Sequence, residues 1–150
     1  MRKWFIIGII VIIVLISIGF SVNYTQDDSV CKGTAQCITE TVSQVIDGDT
    51  IHANPYKIRL SLTNTPERGE EGFTEATAFT KNLCPVGSTI LVDQDDLQHY
   101  DSYGRLLGKV ICDGKNLNSE LLENDHAWIL TQYCSTSEFS DEAWAKKFGR

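Results

Sequence analysis

An aspartate in Val45-Ile46-Asp47-Gly48-Asp49-Thr50-Ile51 is followed by an arginine in Lys57-Ile58-Arg59-Leu60. A glutamate comes next in Asn64-Thr65-Pro66-Glu67, then a second arginine in Asp101-Ser102-Tyr103-Gly104-Arg105. Clustered oxygen donors bind a hard cation, a glutamate can take a proton from a water, and guanidiniums neutralise a phosphate as it reacts. Few reactions other than phosphodiester hydrolysis need all of these together.

Asp49 follows a glycine turn at the mouth of a strand, where a carboxylate is both exposed and fixed, while Asp47 is the better turn former. Asn64 and the main-chain carbonyl of Thr65 offer oxygens that would complete a calcium shell with Asp49. Glu67, just past Pro66, can reach a metal-activated water. Arg59 lies in a predicted strand, where a guanidinium needs a counter-charge or a cavity. Gly104 lets the backbone beside Arg105 come close to a ligand. Each motif has a plainer alternative: a simple hairpin for Asp47-Gly48-Asp49, an Asx turn at Asn64, a solvated glutamate at Glu67. His52, His99 and His126 have no ligand spacing and receive no role.

The elements that must position these groups are short. Thr41 to Ala53 reads as two strands joined at Asp47-Gly48-Asp49. Tyr56 to Leu62 alternates as a half-buried strand, with Arg59 on the face away from Tyr56, Ile58, Leu60 and Leu62. Phe73, Ala76, Phe79 and Leu83 have helical spacing, and Pro85 ends that helix. Thr89 to Val92 and Leu106 to Ile111 are further strands. Asn118 can cap a short helix through Leu121 and Leu122. Ala127 to Tyr133 is expected as a last strand, and Ser137 to Phe148 as a terminal helix burying Phe139 and Trp144. This order predicts an α+β fold, a five-stranded oligonucleotide-binding (OB-fold) barrel with about three flanking helices.

Before that domain, Trp4 to Val22 is a run of 19 residues without a charge, behind Arg2 and Lys3. As a helix it would span the roughly 30 Å of a bilayer core. The expected organisation is a signal anchor or signal peptide over 1–25, an extracytoplasmic linker over 26–41 and one folded domain over 42–150. The positive-inside rule then places the domain outside the cytoplasm, membrane-anchored, or secreted if the segment is cleaved. Setting aside Arg2 and Lys3 leaves 11 basic against 20 acidic side chains, a net charge of −9. That excludes a broad electrostatic grip on nucleic acid but not a small site built on a cation and two arginines.

The five cysteines, Cys31, Cys37, Cys84, Cys112 and Cys134, suit an oxidising compartment and lack zinc spacing. Cys84 closes a predicted helix and Cys112 ends a predicted strand, which makes them the first pair to expect. Cys31 and Cys37 could close a local loop, leaving Cys134, but spacing alone leaves the connectivity open.

The set V-I-D-G-D-T-I, I-R-L, N-T-P-E, E-A-x-A-F, D-x-Y-G-R, D-G-x-x-L-N and E-F-x-x-x-x-W, from Thr41 to Trp144, resembles the thermonuclease (staphylococcal nuclease-like) family. The resemblance implies a calcium-dependent nuclease on an OB-fold barrel, cutting DNA or RNA, preferably single-stranded, to 3′-phosphates. By position, Asp49, Asn64 and Thr65 would hold the ion and Glu67 would activate the water. Arg59 and Arg105 would stabilise the transition state, and Tyr103 and Tyr133 would contact substrate. Asn64 stands where the family usually has a second aspartate, Ser102 replaces a lysine, and Thr131 replaces one of two base-flanking tyrosines. No obligate protein partner is implied. The alternative is a catalytically weakened nucleic-acid-binding or protein-binding module of the same fold.

Overall fold

The computed structural model describes residues 30–149. The predicted membrane or signal segment over 1–25 lies outside them; among the described residues no helix is long and apolar enough to cross a membrane.

Among the described residues, nine strands and three α-helices alternate with short turns. The strands are β1 (Cys37–Thr41), β2 (Gln44–Val45), β3 (Thr50–Ala53), β4 (Tyr56–Leu60), β5 (Thr63–Asn64), β6 (Thr89–Gln94), β7 (Leu106–Cys112), β8 (Lys115–Asn116) and β9 (Trp128–Ile129). The helices are α1 (Phe73–Leu83), α2 (Leu117–Glu123) and α3 (Ala143–Phe148), with 3₁₀ turns at Thr131–Thr136 and Glu138–Asp141.

The main sheet runs β1-β6-β7-β4-β3-β2, and β8 pairs with β7. Its two outer strands are one bent segment. Val42 still donates to Ser88 O at 2.9 Å on the β6 side, whereas Ser43 donates to His52 O at 2.8 Å on the β3 side. One continuous stretch thus pairs at both edges, which closes these strands into a ring, with β8 paired to β7 alone outside it. Counting that stretch once gives five strands around the ring, fitting an OB-like barrel. All neighbouring pairs are antiparallel except β4 and β7, which run parallel with Arg59 opposite Leu107.

Alternating apolar residues fill the barrel: Ile51, Ile58, Leu60, Val92 and Val110 are buried, capped by Leu117 and Leu121 of α2. A second cluster joins Leu62, Leu122 and Ile129 to Phe139 and Trp144, so the two aromatics are buried as the sequence predicts. The segment carrying them is not one helix; Glu142, extended at ψ 150°, separates the 3₁₀ turn from α3. Helix α1 presents Ala76, Thr77 and Thr80 to the barrel and leaves Phe79 and Leu83 only partly buried, because small residues let it approach closely.

Three further expectations are corrected. The fold takes in Cys37–Thr41 as β1, five residues before the expected boundary at 42. The predicted strand over Ala127 to Tyr133 is only Trp128–Ile129, since β5 offers two residues for pairing before Pro66. Beyond Leu130, whose amide still reaches Leu62 O, the chain turns into the 3₁₀ segment that carries Tyr133. The cap of α2 is Asn116, which accepts from the Ser119 amide, and not Asn118. Asn118 is fully buried instead: its Oδ1 accepts from Val110 N, and its Nδ2 donates to Ser61 O at 2.9 Å and, more weakly, to Gly108 O at 3.4 Å. That amide binds the parallel seam between β4 and β7, where a polar group needs several partners to be tolerated.

Cys84 is bonded to Cys112, tying the end of α1 to the end of β7, and Cys31 is bonded to Cys37. Cys134 is free. Replacing Cys84 and Cys112 together by serine is expected to lower stability by about 3 kcal/mol, given a 28-residue separation. A urea titration would show it as a lower midpoint.

Candidate active site

The site begins with a buried guanidinium. Arg59, at the end of β4, is 7% exposed and Asp49 4%. Arg59 Nε faces Asp49 Oδ1 at 3.1 Å; Nη1 donates to Leu60 O at 2.9 Å and Thr63 O at 2.6 Å; Nη2 donates to Asn64 Oδ1 at 2.6 Å. Burial lowers the pKa of Arg59; the charges of Asp49, Asp47 and Glu67 oppose that shift, while Arg105 adds to it. The strand pattern put Arg59 away from the apolar face and required a counter-charge, and Asp49 supplies one.

Local backbone geometry brings these acceptors together. Leu62 adopts φ 62°, a left-handed conformation uncommon outside glycine, between β4 and β5. The turn it makes lets the carbonyls of Leu60 and Thr63 converge on one nitrogen. Asp49 is fixed from its other side: Oδ2 accepts from Thr65 N at 2.7 Å and Thr65 Oγ1 at 3.0 Å, and Oδ1 accepts from Thr50 Oγ1 at 3.1 Å. Asp47 makes the turn, its Oδ1 accepting from Asp49 N at 3.2 Å. Burial, and then the charge of Asp49, raise the pKa of Asp47. Gly48 serves close packing: an added Cβ would lie 2.7 Å from the Thr65 side chain and 2.9 Å from Ala76.

Arg105 is held by Asp101. Its Nε donates to Asp101 Oδ2 at 2.7 Å, while Oδ1 accepts from the amides of Tyr103 and Arg105, each at 2.9 Å. Burial would raise the pKa of Asp101, but hydrogen bonds from the Arg105 backbone and side chain and from Tyr103 bring it below the usual carboxylate value. Gly104, at φ 74°, takes a turn conformation that favours glycine, and no protein atom lies within 4 Å of its would-be Cβ. The Arg105 guanidinium lies 5.5 Å from the centre of the Tyr103 ring, and Tyr103 is 84% exposed.

Arg59, Arg105, Tyr103 and Tyr133 line one cavity of about 350 Å³. Asp95, Gln98 and Ser137 line it too, and the sequence reading missed them because their spacing matches no motif. Hydrogen bonds from Ser137 Oγ and Glu138 N to Asp95 hold residues 95–98 beside 137. Asp49, Asn64 and Thr65 sit behind Arg59 and do not line the cavity. Glu67 is on an exposed turn in which its amide donates to Glu70 Oε2 at 2.7 Å.

The donors predicted for a metal are all oxygens, the kind a hard cation takes. Asp49, Asn64 and Thr65 are adjacent, but Asn64 Oδ1 accepts from Arg59 and Thr65 O accepts from Asn64 Nδ2 at 3.2 Å. Among the described residues no cluster of three or more His, Cys, Asp or Glu could hold a metal ion. The set therefore fits a hard cation in donor type while supplying one carboxylate.

A profile of staphylococcal nuclease homologues matches residues 57–147, more than half of the chain. An uncharacterized endonuclease of Escherichia coli is 34% identical over 97 residues, 61% of this chain and 61% of that protein. Endonuclease YhcR of Bacillus subtilis is 35% identical over 102 residues, 57% of this chain and 8% of its own. The Staphylococcal-like nuclease CAN1 of Arabidopsis thaliana is 27% identical over 134 residues, 85% of this chain and 38% of its own. The chain thus spans less than two thirds of the length of these relatives. With the motif set carried on a closed, mixed barrel, the profile match identifies this chain as a member of the staphylococcal nuclease homologue family.

Proposed function

We propose that this protein is a nuclease that hydrolyses phosphodiester bonds of DNA or RNA, preferably single-stranded, leaving 3′-phosphate ends. The observation that carries this reading is the pair of guanidiniums, Arg59 and Arg105, on the wall of one cavity beside two tyrosines. The endonuclease names of the relatives support it.

In this mechanism a phosphate takes the cavity position that both arginines face, with a flanking base against Tyr103 or Tyr133. Glu67 accepts a proton from the attacking water as its oxygen bonds to phosphorus. The bond to the 5′ oxygen breaks, and that oxygen takes a proton from solvent. Arg59 and Arg105 donate to the phosphate oxygens as charge builds there, each contributing on the order of 10²–10³ in rate. The charge of Arg105 disfavours that of Arg59, and an anion bound beside them would offset that cost.

Calcium is the proposed cofactor; Asp49, Asn64 Oδ1 and the Thr65 carbonyl would hold it, and it would supply further positive charge near the site. With one carboxylate in the set, affinity is expected to be modest. An extracytoplasmic location, anchored or secreted, is supported by the two disulfides and by the apolar run over residues 4–22.

Glu67→Gln is expected to leave the fold intact and lower turnover of a single-stranded oligonucleotide about 10²-fold or more. The assay compares calcium, magnesium and EDTA with the full chain in mild detergent. Equal turnover in the variant would remove Glu67 as the base; binding without cleavage by the wild type would leave the weakened binding module standing. Asp49→Ala separates ligand from counter-charge. Losing only a cation ligand would leave stability in EDTA unchanged, whereas stranding the buried Arg59 should cost about 3–5 kcal/mol. Denaturant unfolding in EDTA gives the value.

A further inference from the structure

The cavity wall formed by Asp95 and Gln98 is gripped from two sides. On one side Ser137 Oγ donates to Asp95 Oδ2, Glu138 N donates to Asp95 Oδ1 at 3.1 Å, and Asp96 N returns a bond to Glu138 Oε1 at 2.9 Å. On the other side lies the loop closed by Cys31–Cys37, which precedes the 57–147 stretch shared with the family.

That loop wraps one carboxylate. Asp96 accepts from Thr34 N at 2.9 Å through both oxygens and from Ala35 N at 2.6 Å. Gly33, at φ 78°, passes so close that an added Cβ would lie 2.0 Å from Asp96 Oδ2. Two further bonds extend the dock: Gln94 N donates to Gln36 O at 3.0 Å, and Gln36 N donates to Gln94 Oε1 at 3.3 Å. Residues 31–36 contain no helix or strand, so the disulfide and these bonds are what keep them in place.

We infer that the cystine-closed loop 31–37 is a strap that positions the 95–98 wall of the substrate cavity through Asp96. This rests on reading that cavity as the substrate cleft. Asp96 touches no substrate and is a positioning residue. The strap bears on binding more than on chemistry, because Arg59 is held by Leu60, Thr63 and Asn64, Arg105 is held by Asp101, and none of these touches the loop.

The test uses the full chain in mild detergent, as wild type, as Cys31→Ser/Cys37→Ser, and as Gly33→Ala, which keeps the disulfide but drives the loop off Asp96. Hydrogen exchange over 95–99 and at Glu138 is measured beside steady-state cleavage of a short single-stranded oligonucleotide and the Tm. Exchange at the Leu97 and Glu138 amides should speed up about tenfold in both variants. KM should rise roughly fivefold with kcat little changed. Unchanged exchange over 95–99 in both variants overturns the strap, as does a kcat that falls in step with Tm, which would mark general destabilisation. A wild type that cuts nothing overturns the nuclease reading alone, because exchange still decides whether the loop holds the wall.

Discussion

A guanidinium taken out of water has to be repaid by acceptors, and the region around Arg59 is organised by that requirement. Removing a unit charge from solvent costs several kcal/mol even after relaxation, so a buried arginine survives only when its donors are filled. Four acceptors meet it: one carboxylate, two carbonyls and one side-chain amide. Each fixes a different piece of chain. Asp49 fixes the β2–β3 turn, Leu60 and Thr63 the left-handed corner at Leu62, and Asn64 the short strand β5. Thr65 and Thr80 reinforce the turn from behind, with Thr80 Oγ1 donating to Gly48 O at 2.6 Å. Gly48 has no Cβ because Thr65 and Ala76 occupy that space.

The second arginine depends on the first through the one parallel seam of the barrel. Because β4 and β7 run side by side with Ile58 opposite Leu106, the residue before β7 emerges at the same end of the ring as Arg59. Parallel strands need a long connection, and the chain supplies it with β5, α1, β6 and the 95–105 loop. Asn118 secures the seam from the side, bonding to Ser61, Gly108 and Val110 at once. A buried helix-cap signal in the sequence turns out to be a seam clamp, and the site owes its two-arginine geometry in part to that amide.

What the sequence revealed and what it hid divide along physical lines. Apolar alternation made Ile58, Leu60 and Leu62 legible as core, and an arginine among them demanded a counter-charge, which Asp49 provides. Turn chemistry was legible at Asp47, whose carboxylate does accept from the Asp49 amide. Glycine was legible as a break but not in its cause: Gly48 yields space and Gly104 yields a positive φ, and the letter is the same. The length of the last strand was hidden because it is set by its partner, β5, and not by its own apolar residues. The same holds for Asp95, Gln98 and Ser137. Their place on the cavity follows from hydrogen bonds between segments more than 40 residues apart, which leave no periodicity to detect. The Asp96 clasp is of that kind too: 61 and 62 residues separate its partners.

An acidic chain that engages a polyanion must confine its attraction. At physiological ionic strength a charge is screened within about 8 Å, so a net negative surface elsewhere does little to repel a phosphate already at the cavity. The two guanidiniums are not free to act as a diffuse field, since Asp49 and Asp101 hold each in a fixed direction. Direction takes the place of quantity. A basic groove would bind nucleic acid of any shape along its length, whereas in the proposed nuclease two oriented forks and exposed tyrosine rings would select one phosphate with an unstacked base beside it. Such a base is available in single strands and costly to extract from a duplex. On the proposed reading, a preference for single strands would follow from how the charge is held. It does not require the protein to carry an excess of positive charge.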